Sequence, residues 1–177
     1  MVVIQNTFHR NHQGFSLIEL MLSISIVMVI VVVGFTNFRK SEQTSVLEGE
    51  GERLSASMKE AEIKALAGEF VEGTQVRPPY GIYIALPDEY YLFGDTLPAG
   101  NPDFIYTGGD TIVRRMKTAP TVQLSGVGTS YVFSPPLVEV YVNGTKGVSG
   151  TITLSHVLTG SSIQVSINGI SGQVNMK

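Results

Sequence analysis

An uninterrupted apolar segment near the amino terminus constrains this sequence more than any other feature. Residues 15–38, FSLIELMLSISIVMVIVVVGFTNF, comprise 24 residues with a single charged side chain, Glu19. At about 1.5 Å per residue, a helix of this length covers roughly 36 Å, which exceeds the roughly 30 Å hydrocarbon core of a membrane. Arg39 and Lys40 follow directly. The segment therefore predicts a membrane-spanning helix.

The position of Glu19 separates three interpretations of this segment. A cleaved signal peptide has an apolar core of roughly 7–15 residues and a small-residue cleavage site, but this segment is longer and has no such site before Arg39. A plain single-pass anchor leaves a carboxylate at membrane depth, at a cost on the order of 2.5–3.5 kcal/mol or more. Cleavage after Gly14 would instead place Glu19 in the first helical turn, near the new amino terminus at Phe15. The helix dipole favours an acid there.

The residues around Gly14 carry a resemblance to a known family. The sequence GFSLIE, residues 14–19, resembles the prepilin-peptidase site of type IV pilins and type II secretion pseudopilins. The resemblance implies cleavage between Gly14 and Phe15 and N-methylation of Phe15. It also implies that Glu19 pairs with the amine of an adjacent subunit during assembly.

Beyond the apolar segment, the periodicity predicts an amphipathic continuation of the helix. Small and apolar residues recur at spacings of three and four, which indicates one face packed on a core: Leu47, Gly51, Leu54, Met58, Ala61, Ala65 and Gly68. Glu60 and Lys64 are spaced for an i,i+4 ion pair. Gly68, and then Pro78-Pro79, predict the end of the helix.

A period of two replaces the helical period after Pro79 and predicts antiparallel strands from about residue 80 onward. Asn143-Gly144 and Asn168-Gly169 are expected to form two-residue hairpin turns, since both central residues accept positive φ. Aromatic side chains alternate along the first two strands, where cross-strand and core packing is favoured over an exposed adhesive or docking face: Tyr80, Tyr83, Tyr90, Tyr91 and Phe93.

These patterns predict an α+β fold in which the second half of a long helix packs on an antiparallel β-sheet. The expected organisation has four parts: a leader peptide (1–14), a transmembrane and filament-core helix (15–38), its amphipathic continuation (39–70) and a β-rich globular pilin-like domain (71–177). The helix text LSASMKEAEIKALAG and the ending IQVSINGISGQV resemble the H-type minor pseudopilins. A major pseudopilin is the alternative.

Few residues point to catalysis. His9 and His12 lie in the predicted leader, which leaves His156 as an ordinary strand or loop histidine. No serine has a usable histidine partner for a catalytic triad, and no phosphate-loop or zinc-protease motif is present. We therefore expect no enzymatic activity.

One loop gathers oxygen atoms of the kind that bind calcium. Asp95, Asn101 and Asp103 lie in a segment that contains glycine and proline, and related pilins sometimes bind calcium in such loops. The spacing is not that of an EF-hand, which places ligands at alternate positions. A solvated acidic loop is the favoured interpretation, calcium is the alternative, and no other cofactor is expected.

Composition and resemblance together indicate a structural protein. The formal net charge of −3 gives no basic footprint for nucleic acid, and the absence of cysteine excludes disulfides and thiolate chemistry. The resemblance implies a structural subunit of a type IV pilus-like filament or a type II secretion pseudopilus. Its partners would be other pilin or pseudopilin subunits, prepilin peptidase, an inner-membrane assembly platform and membrane lipid.

The same resemblance implies a location. The globular domain would lie outside the cytoplasm, first anchored to the cell membrane by a single span and then in a periplasmic or extracellular filament. The alternative function is a single-pass membrane-anchored binding or enzyme domain that does not polymerise.

Overall fold

The computed structural model describes residues 16–71, 77–96, 101–137 and 139–177, apart from the side chains of residues 36–41. The described secondary structure consists of one helix, α1 (Leu17–Ala67), followed by ten β-strands. The chain divides into two compact units, residues 1–41 and 42–177. The long helix, the antiparallel strands from residue 80 and the α+β class are confirmed over the described residues, in which the helix begins at Leu17. Phe15, the predicted start of the helix, lies outside them.

Within the first unit, the described residues are helical from Leu17 onward, and most of them are apolar. The stretch Leu17–Phe35 is long and apolar enough to cross a membrane. None of its side chains is buried against other parts of the protein. This exposure makes the apolar side chains of the stretch accessible to lipid or to other helices.

Within the second unit, α1 packs through the stripe that the sequence predicted. Leu47, Leu54, Met58, Ala61 and Ala65 are all at most 2% exposed and belong to one hydrophobic cluster with strand residues. The helix ends where Gly68 adopts a φ of +58°. The backbone N–H of Glu69 donates to the carbonyl of Lys64 at 3.1 Å, as in a glycine-terminated helix end.

Ten strands form two sheets in which every described pairing is antiparallel. The strands are β1 (Tyr80–Leu86), β2 (Glu89–Gly94), β3 (Thr111–Lys117), β4 (Val122–Leu124), β5 (Ser130–Ser134), β6 (Glu139–Val142), β7 (Thr145–Lys146), β8 (Gly150–His156), β9 (Ser162–Ile167) and β10 (Val174–Met176). The six-stranded sheet has the order β3-β2-β1-β5-β6-β7, and the four-stranded sheet has the order β10-β9-β8-β4.

Two glycines allow close approaches that hold these layers together. A Cβ on Gly51 of α1 would lie 2.8 Å from the Met176 sulfur of β10. A Cβ on Gly150 of β8 would lie 2.2 Å from a ring carbon of Tyr131 on β5. Because Gly51 and Gly150 have no side chain, β10 can pack closely on α1, and β8 can pack closely against the Tyr131 ring of the other sheet.

The two predicted hairpin turns differ in outcome. Asn143 and Gly144 have φ values of 48° and 74° and join β6 to β7 directly, which confirms the first turn. The second prediction is wrong, because Ile167 pairs with Val174 and the connection spans residues 168–173. The Asn168 side chain there accepts backbone hydrogen bonds from Ile170 and Ser171 at 2.9 and 3.0 Å, so its amide stabilises a longer loop.

The predicted ion pair between Glu60 and Lys64 is also wrong. Glu60 pairs with Arg114 of β3, and the Lys64 Nζ lies 2.6 Å from Glu69 Oε1. An i,i+4 pair on a helix contributes only about 0.2–0.5 kcal/mol. A neighbouring strand or the chain beyond the helix end can therefore supply a competing partner at little cost.

Candidate processing and assembly site

The apolar stretch Leu17–Phe35 contains three side chains with polar atoms, and two of them are satisfied within the helix. Ser23 Oγ donates to the carbonyl of Glu19, and Ser25 Oγ donates to the carbonyl of Met21, both at 2.8 Å. In a membrane such internal bonds remove the penalty for an unpaired hydroxyl. The third polar side chain is the carboxylate of Glu19.

Glu19 lies in the first turn of α1 and points into the surroundings of the helix. Its backbone N–H donates to the carbonyl of Ser16 at 3.0 Å. Among the residues that the structure describes, its carboxylate forms no ion pair. An exposed carboxylate at the amino-terminal end of an apolar helix is favoured by the helix dipole and is accessible to a cationic partner.

The other predicted processing residues lie outside the described part of the chain. Gly14 and Phe15, together with the rest of the predicted leader, precede Ser16, the first described residue. Cleavage between Gly14 and Phe15 and methylation of Phe15 therefore stay predictions. The structure does describe the start of the helix that follows them, at Leu17.

The loop between β2 and β3 is organised by buried carboxylates. Asp95 is 2% exposed, and its Oδ2 accepts a hydrogen bond from the Phe104 backbone N–H at 2.7 Å. Asp95 Oδ1 is buried without a hydrogen-bond partner. Burial raises the pKa of Asp95 to about 7, and the negative charges of Asp110 and Asp103 add to the effect.

Asp110 is a second organising residue, and the sequence analysis missed it. Its carboxylate accepts hydrogen bonds from the backbone N–H groups of Thr96 and Thr107 at 2.9 and 2.7 Å. The run Thr107-Gly-Gly-Asp110 is a local signal for such a turn, since an aspartate commonly bonds nearby backbone groups in turns. This carboxylate connects the two ends of the loop.

The three residues considered for calcium have different settings. Asp95 is buried, whereas Asn101 and Asp103 are exposed. Asp103 Oδ1 accepts a hydrogen bond from the Ile105 backbone N–H at 3.0 Å. Over the described ranges, no three His, Asp or Glu side chains are grouped so as to hold a metal ion. The calcium alternative stays a prediction.

The aromatic residues of β1 and β2 divide between two faces of the sheet. Tyr80 and Tyr90 are 1% exposed and belong to the hydrophobic core cluster, which confirms core packing for these two. Phe93 is buried on the other face, where its ring centroid lies 5.2 Å from that of Tyr106. Tyr83 and Tyr91 are half-buried, and Tyr83 stacks on Tyr106 with ring centroids 4.4 Å apart. His156 ends β8 and is 3% exposed, as expected for a strand histidine.

Comparison with known proteins assigns the amino-terminal segment. Residues 9–35 match the family model described as the prokaryotic N-terminal methylation motif. The match includes GFSLIE at residues 14–19 and the whole apolar stretch Leu17–Phe35. No curated protein and no solved structure matches the chain.

The motif and the apolar helix point to the same class of protein. The motif indicates a type IV pilin-like protein of the kind that prepilin peptidase processes. The motif implies assembly with other pilin subunits, and the helix fits a membrane-anchored pilin.

Proposed function

We propose that the chain is a structural subunit of a type IV pilus-like filament or a type II secretion pseudopilus, assembled from the membrane after cleavage between Gly14 and Phe15. One observation carries this proposal. The methylation motif over residues 9–35 includes the described apolar stretch Leu17–Phe35, and within that stretch Glu19 is the only side chain whose oxygen atoms have no hydrogen-bond or ion-pair partner. The processing motif and the carboxylate that we propose for assembly thus lie in one segment.

The mechanism follows from the physical chemistry of this helix. In the membrane, the apolar helix is stored among lipid chains, with Glu19 near its amino-terminal end. During assembly, helix–helix packing replaces lipid contact. The amine created at Phe15, on the same or an incoming subunit, supplies the positive charge that Glu19 lacks. A low dielectric strengthens this attraction, although desolvation of both charges opposes it.

The type of filament is a finer part of the same proposal. The resemblance of the amphipathic helix and the carboxyl-terminal strands to H-type minor pseudopilins favours the secretion pseudopilus, with the major pseudopilin as the alternative. We further propose that the second unit lies outside the cytoplasm, first at the membrane and then in a periplasmic or extracellular filament. The inner-membrane assembly platform would be the partner that extracts the subunit from lipid.

The proposed role is mechanical and needs no catalytic step and no cofactor. Support comes from the sequence, which lacks cysteine and offers only His156 outside the predicted leader. A membrane-anchored domain that never polymerises is the competing function. It differs from the proposal in keeping its amino terminus and in forming no filaments.

Mass spectrometry of the amino terminus tests the proposal. The mature protein should begin at Phe15, unmodified or methylated, and should lack Arg10. Gly14→Leu should leave the leader attached, because a bulky side chain replaces the residue before the cut. Gly34→Ala is the matched control, since a Cβ there meets nothing within 4 Å, and this variant should be processed normally. Assembled protein that retains Arg10 or His12 would contradict the proposal.

A further inference from the structure

The second unit contains a long stretch of sequence without any charged side chain. Setting aside Arg10, Arg39, Lys40 and Glu19, which lie in the first unit, leaves 9 of the 12 basic and 14 of the 15 acidic residues in the second unit. Charged residues therefore occur there about once in six positions, yet residues 147–176 contain none. Depletion of charge is typical of the centre of a protein–protein interface, so this stretch has the composition of a surface that a partner covers.

The turn between β8 and β9 places two apolar side chains at one tip of this uncharged stretch. Val157 and Leu158 form this apolar tip, and Leu158 is 76% exposed. Backbone hydrogen bonds fix the turn: the Val157 N–H donates to the carbonyl of Thr121 at 2.8 Å, and the Gly160 N–H donates to the carbonyl of His156 at 2.9 Å. A turn that is already ordered loses little conformational freedom when it docks.

A groove at the carboxyl-terminal end of α1 has the opposite shape. Phe70 and Val71, which follow the helix, line it together with Ile112 and Val113 of β3, and its volume is about 380 Å³. The side chains of Phe70 and Val113 are exposed. At about 30 Å³ for each water molecule, this volume holds roughly a dozen waters, so the groove can accommodate a leucine side chain.

The charged groups of this groove are paired with each other. Lys64 and Glu69 belong to its lining, and the Lys64 Nζ lies 2.6 Å from Glu69 Oε1. Arg77 lies outside the lining, with its guanidinium 4.7 Å from the centre of the Phe70 ring. The groove therefore suits an uncharged occupant, which needs no ion pair of its own.

The apolar tip and the groove lie at opposite ends of the part of α1 that packs in the second unit. The tip is bonded to Thr121, and the backbone N–H of nearby Ala119 donates to Glu50 Oε1 at 3.2 Å. The groove is instead lined by Lys64. Glu50 and Lys64 are 14 residues apart on the helix, which corresponds to about 21 Å along its axis.

This position distinguishes the apolar tip from the other exposed apolar turns. Leu137 follows β5, in which Phe133 lies opposite Tyr80, and Tyr80 lines the groove. A contact between Leu137 and the groove would therefore join like ends of two molecules. Ile170 follows the other end of β9, and the six residues of this strand separate it from the tip by about 20 Å.

We propose that the apolar tip of one copy inserts into the groove of a second copy of this chain, with Leu158 against Phe70 and Val113. The inference rests on the proposed function and specifies a contact between its subunits. A second copy is the favoured occupant because each molecule carries an uncharged tip and a groove without unpaired charge at opposite ends. Burial of the exposed apolar side chains drives the contact, and no unpaired charge has to be desolvated.

A contact between opposite ends also fits a filament. The tip and the groove are different patches, so their contact is heterologous and leaves one tip and one groove free on each pair of subunits. Heterologous contacts that do not close into a ring generate helical filaments. A contact of one patch with itself would instead stop at a dimer.

Disulfide trapping tests the contact directly, because the native chain has no cysteine. Full-length Leu158→Cys with Val113→Cys should give a ladder of covalent multimers after oxidation in filament-forming cells. Ile170→Cys with Val113→Cys is the matched control and should stay monomeric, since Ile170 is 86% exposed but distant from the tip. Monomers from the first variant, equal ladders from both, or a covalent pair with a different protein would overturn the inference.

Chains with one cysteine distinguish a contact between opposite ends from a contact between like ends. Leu158→Cys chains expressed together with Val113→Cys chains should give covalent dimers and no longer ladder. Either variant expressed alone should stay monomeric. Covalent dimers of Leu158→Cys alone would show that two tips meet, and this result would overturn the inference.

A charge placed on the tip provides an independent measurement. Leu158→Asp should lower filament yield at least about tenfold, because an unpaired carboxylate is costly to bury. Leu158→Met, which stays apolar and flexible, should retain most of the yield, and Ile170→Asp should match wild type. Equal unfolding midpoints of the purified variants would establish that each one folds. Leu158→Asp chains that fold and assemble as well as wild type would overturn the contact.

The proposed function fails in a different way. Wild-type chains that are never processed or never form filaments would contradict the proposed function. Wild-type filaments in which residues 113 and 158 cannot be cross-linked would overturn only the contact between the tip and the groove.

Discussion

Asp95 is a carboxylate whose ionisation opposes the folding of the second unit. Its pKa is about 7 in the folded protein against an ordinary value of 3.8. Between these values the unfolded chain loses the proton first. The free energy of unfolding should therefore fall as the pH rises from about 4 to about 7 and then level off. A displacement of roughly three pKa units corresponds to a change on the order of a few kcal/mol.

Asp95→Asn tests this pH dependence. The amide keeps an oxygen for the Phe104 N–H and does not ionise, so the variant should lose most of the slope and gain stability at pH 8. Thermal unfolding of the full chain in detergent between pH 5 and 8 measures both. Asp103→Asn is the exposed control. Equal slopes in Asp95→Asn and wild type would show that another group titrates.

The same measurement with added calcium addresses the metal alternative for this loop. Calcium that stabilises wild type and leaves Asp95→Asn unchanged would favour a metal-binding loop over a solvated acidic one. Unchanged unfolding of both chains would favour the solvated loop.

At the scale of elements, we expect alanine substitution at two glycines of the second unit to have opposite effects on stability. Gly150→Ala would place a Cβ 2.2 Å from the Tyr131 ring, and such overpacking typically costs about 1–3 kcal/mol. Gly49→Ala in α1 would meet nothing within 4 Å and should stabilise the helix by about 0.5–1 kcal/mol. Unfolding midpoints that move in opposite directions would confirm the prediction, and a stabilising Gly150→Ala would contradict it.

Elements with a strong local signal were predictable from sequence. The buried stripe of α1, its end at Gly68 and the hairpin turn at Asn143-Gly144 depend on periodicity or on residues that accept positive φ. The two-residue turn predicted at Asn168-Gly169 does not form, because Gly169 packs closely against the backbone of a different loop. A Cβ on it would lie 2.4 Å from the Gly147 carbonyl oxygen, a tertiary approach with no trace in the local pattern.

The candidate site and the sheets likewise have features that the sequence predicts and features that it does not. GFSLIE and the apolar helix lie within one continuous stretch, so the processing and assembly residues could be proposed from sequence alone. The ion pair of Glu60 with Arg114 could not, because it joins α1 to a strand that is distant in the sequence. The partition into a six-stranded and a four-stranded sheet was likewise outside the sequence pattern, since alternation predicts strands but not which strands share a sheet.

At the scale of the whole molecule, the central claim is that Glu19 is needed for the assembly of subunits and not for membrane insertion or cleavage. Glu19→Ala should leave membrane insertion and cleavage largely intact, because it makes the segment more apolar and lies beyond the cut. Assembly should be impaired, since the amine at Phe15 loses its partner. Glu19→Asp, shorter by one methylene, should be intermediate. Ser23→Ala is the matched control, because the Ser23 hydroxyl bonds only to its own helix in the described structure.

The most direct test compares two quantities in the same cells: the yield of filaments and the amount of processed, membrane-bound subunit. For Glu19→Ala the account predicts normal levels of processed subunit with filament yield reduced at least tenfold, about 1.4 kcal/mol or more at each contact, while Ser23→Ala matches wild type in both. Normal filament yield from Glu19→Ala would contradict the account and reduce Glu19 to a charge that stabilises a helix end.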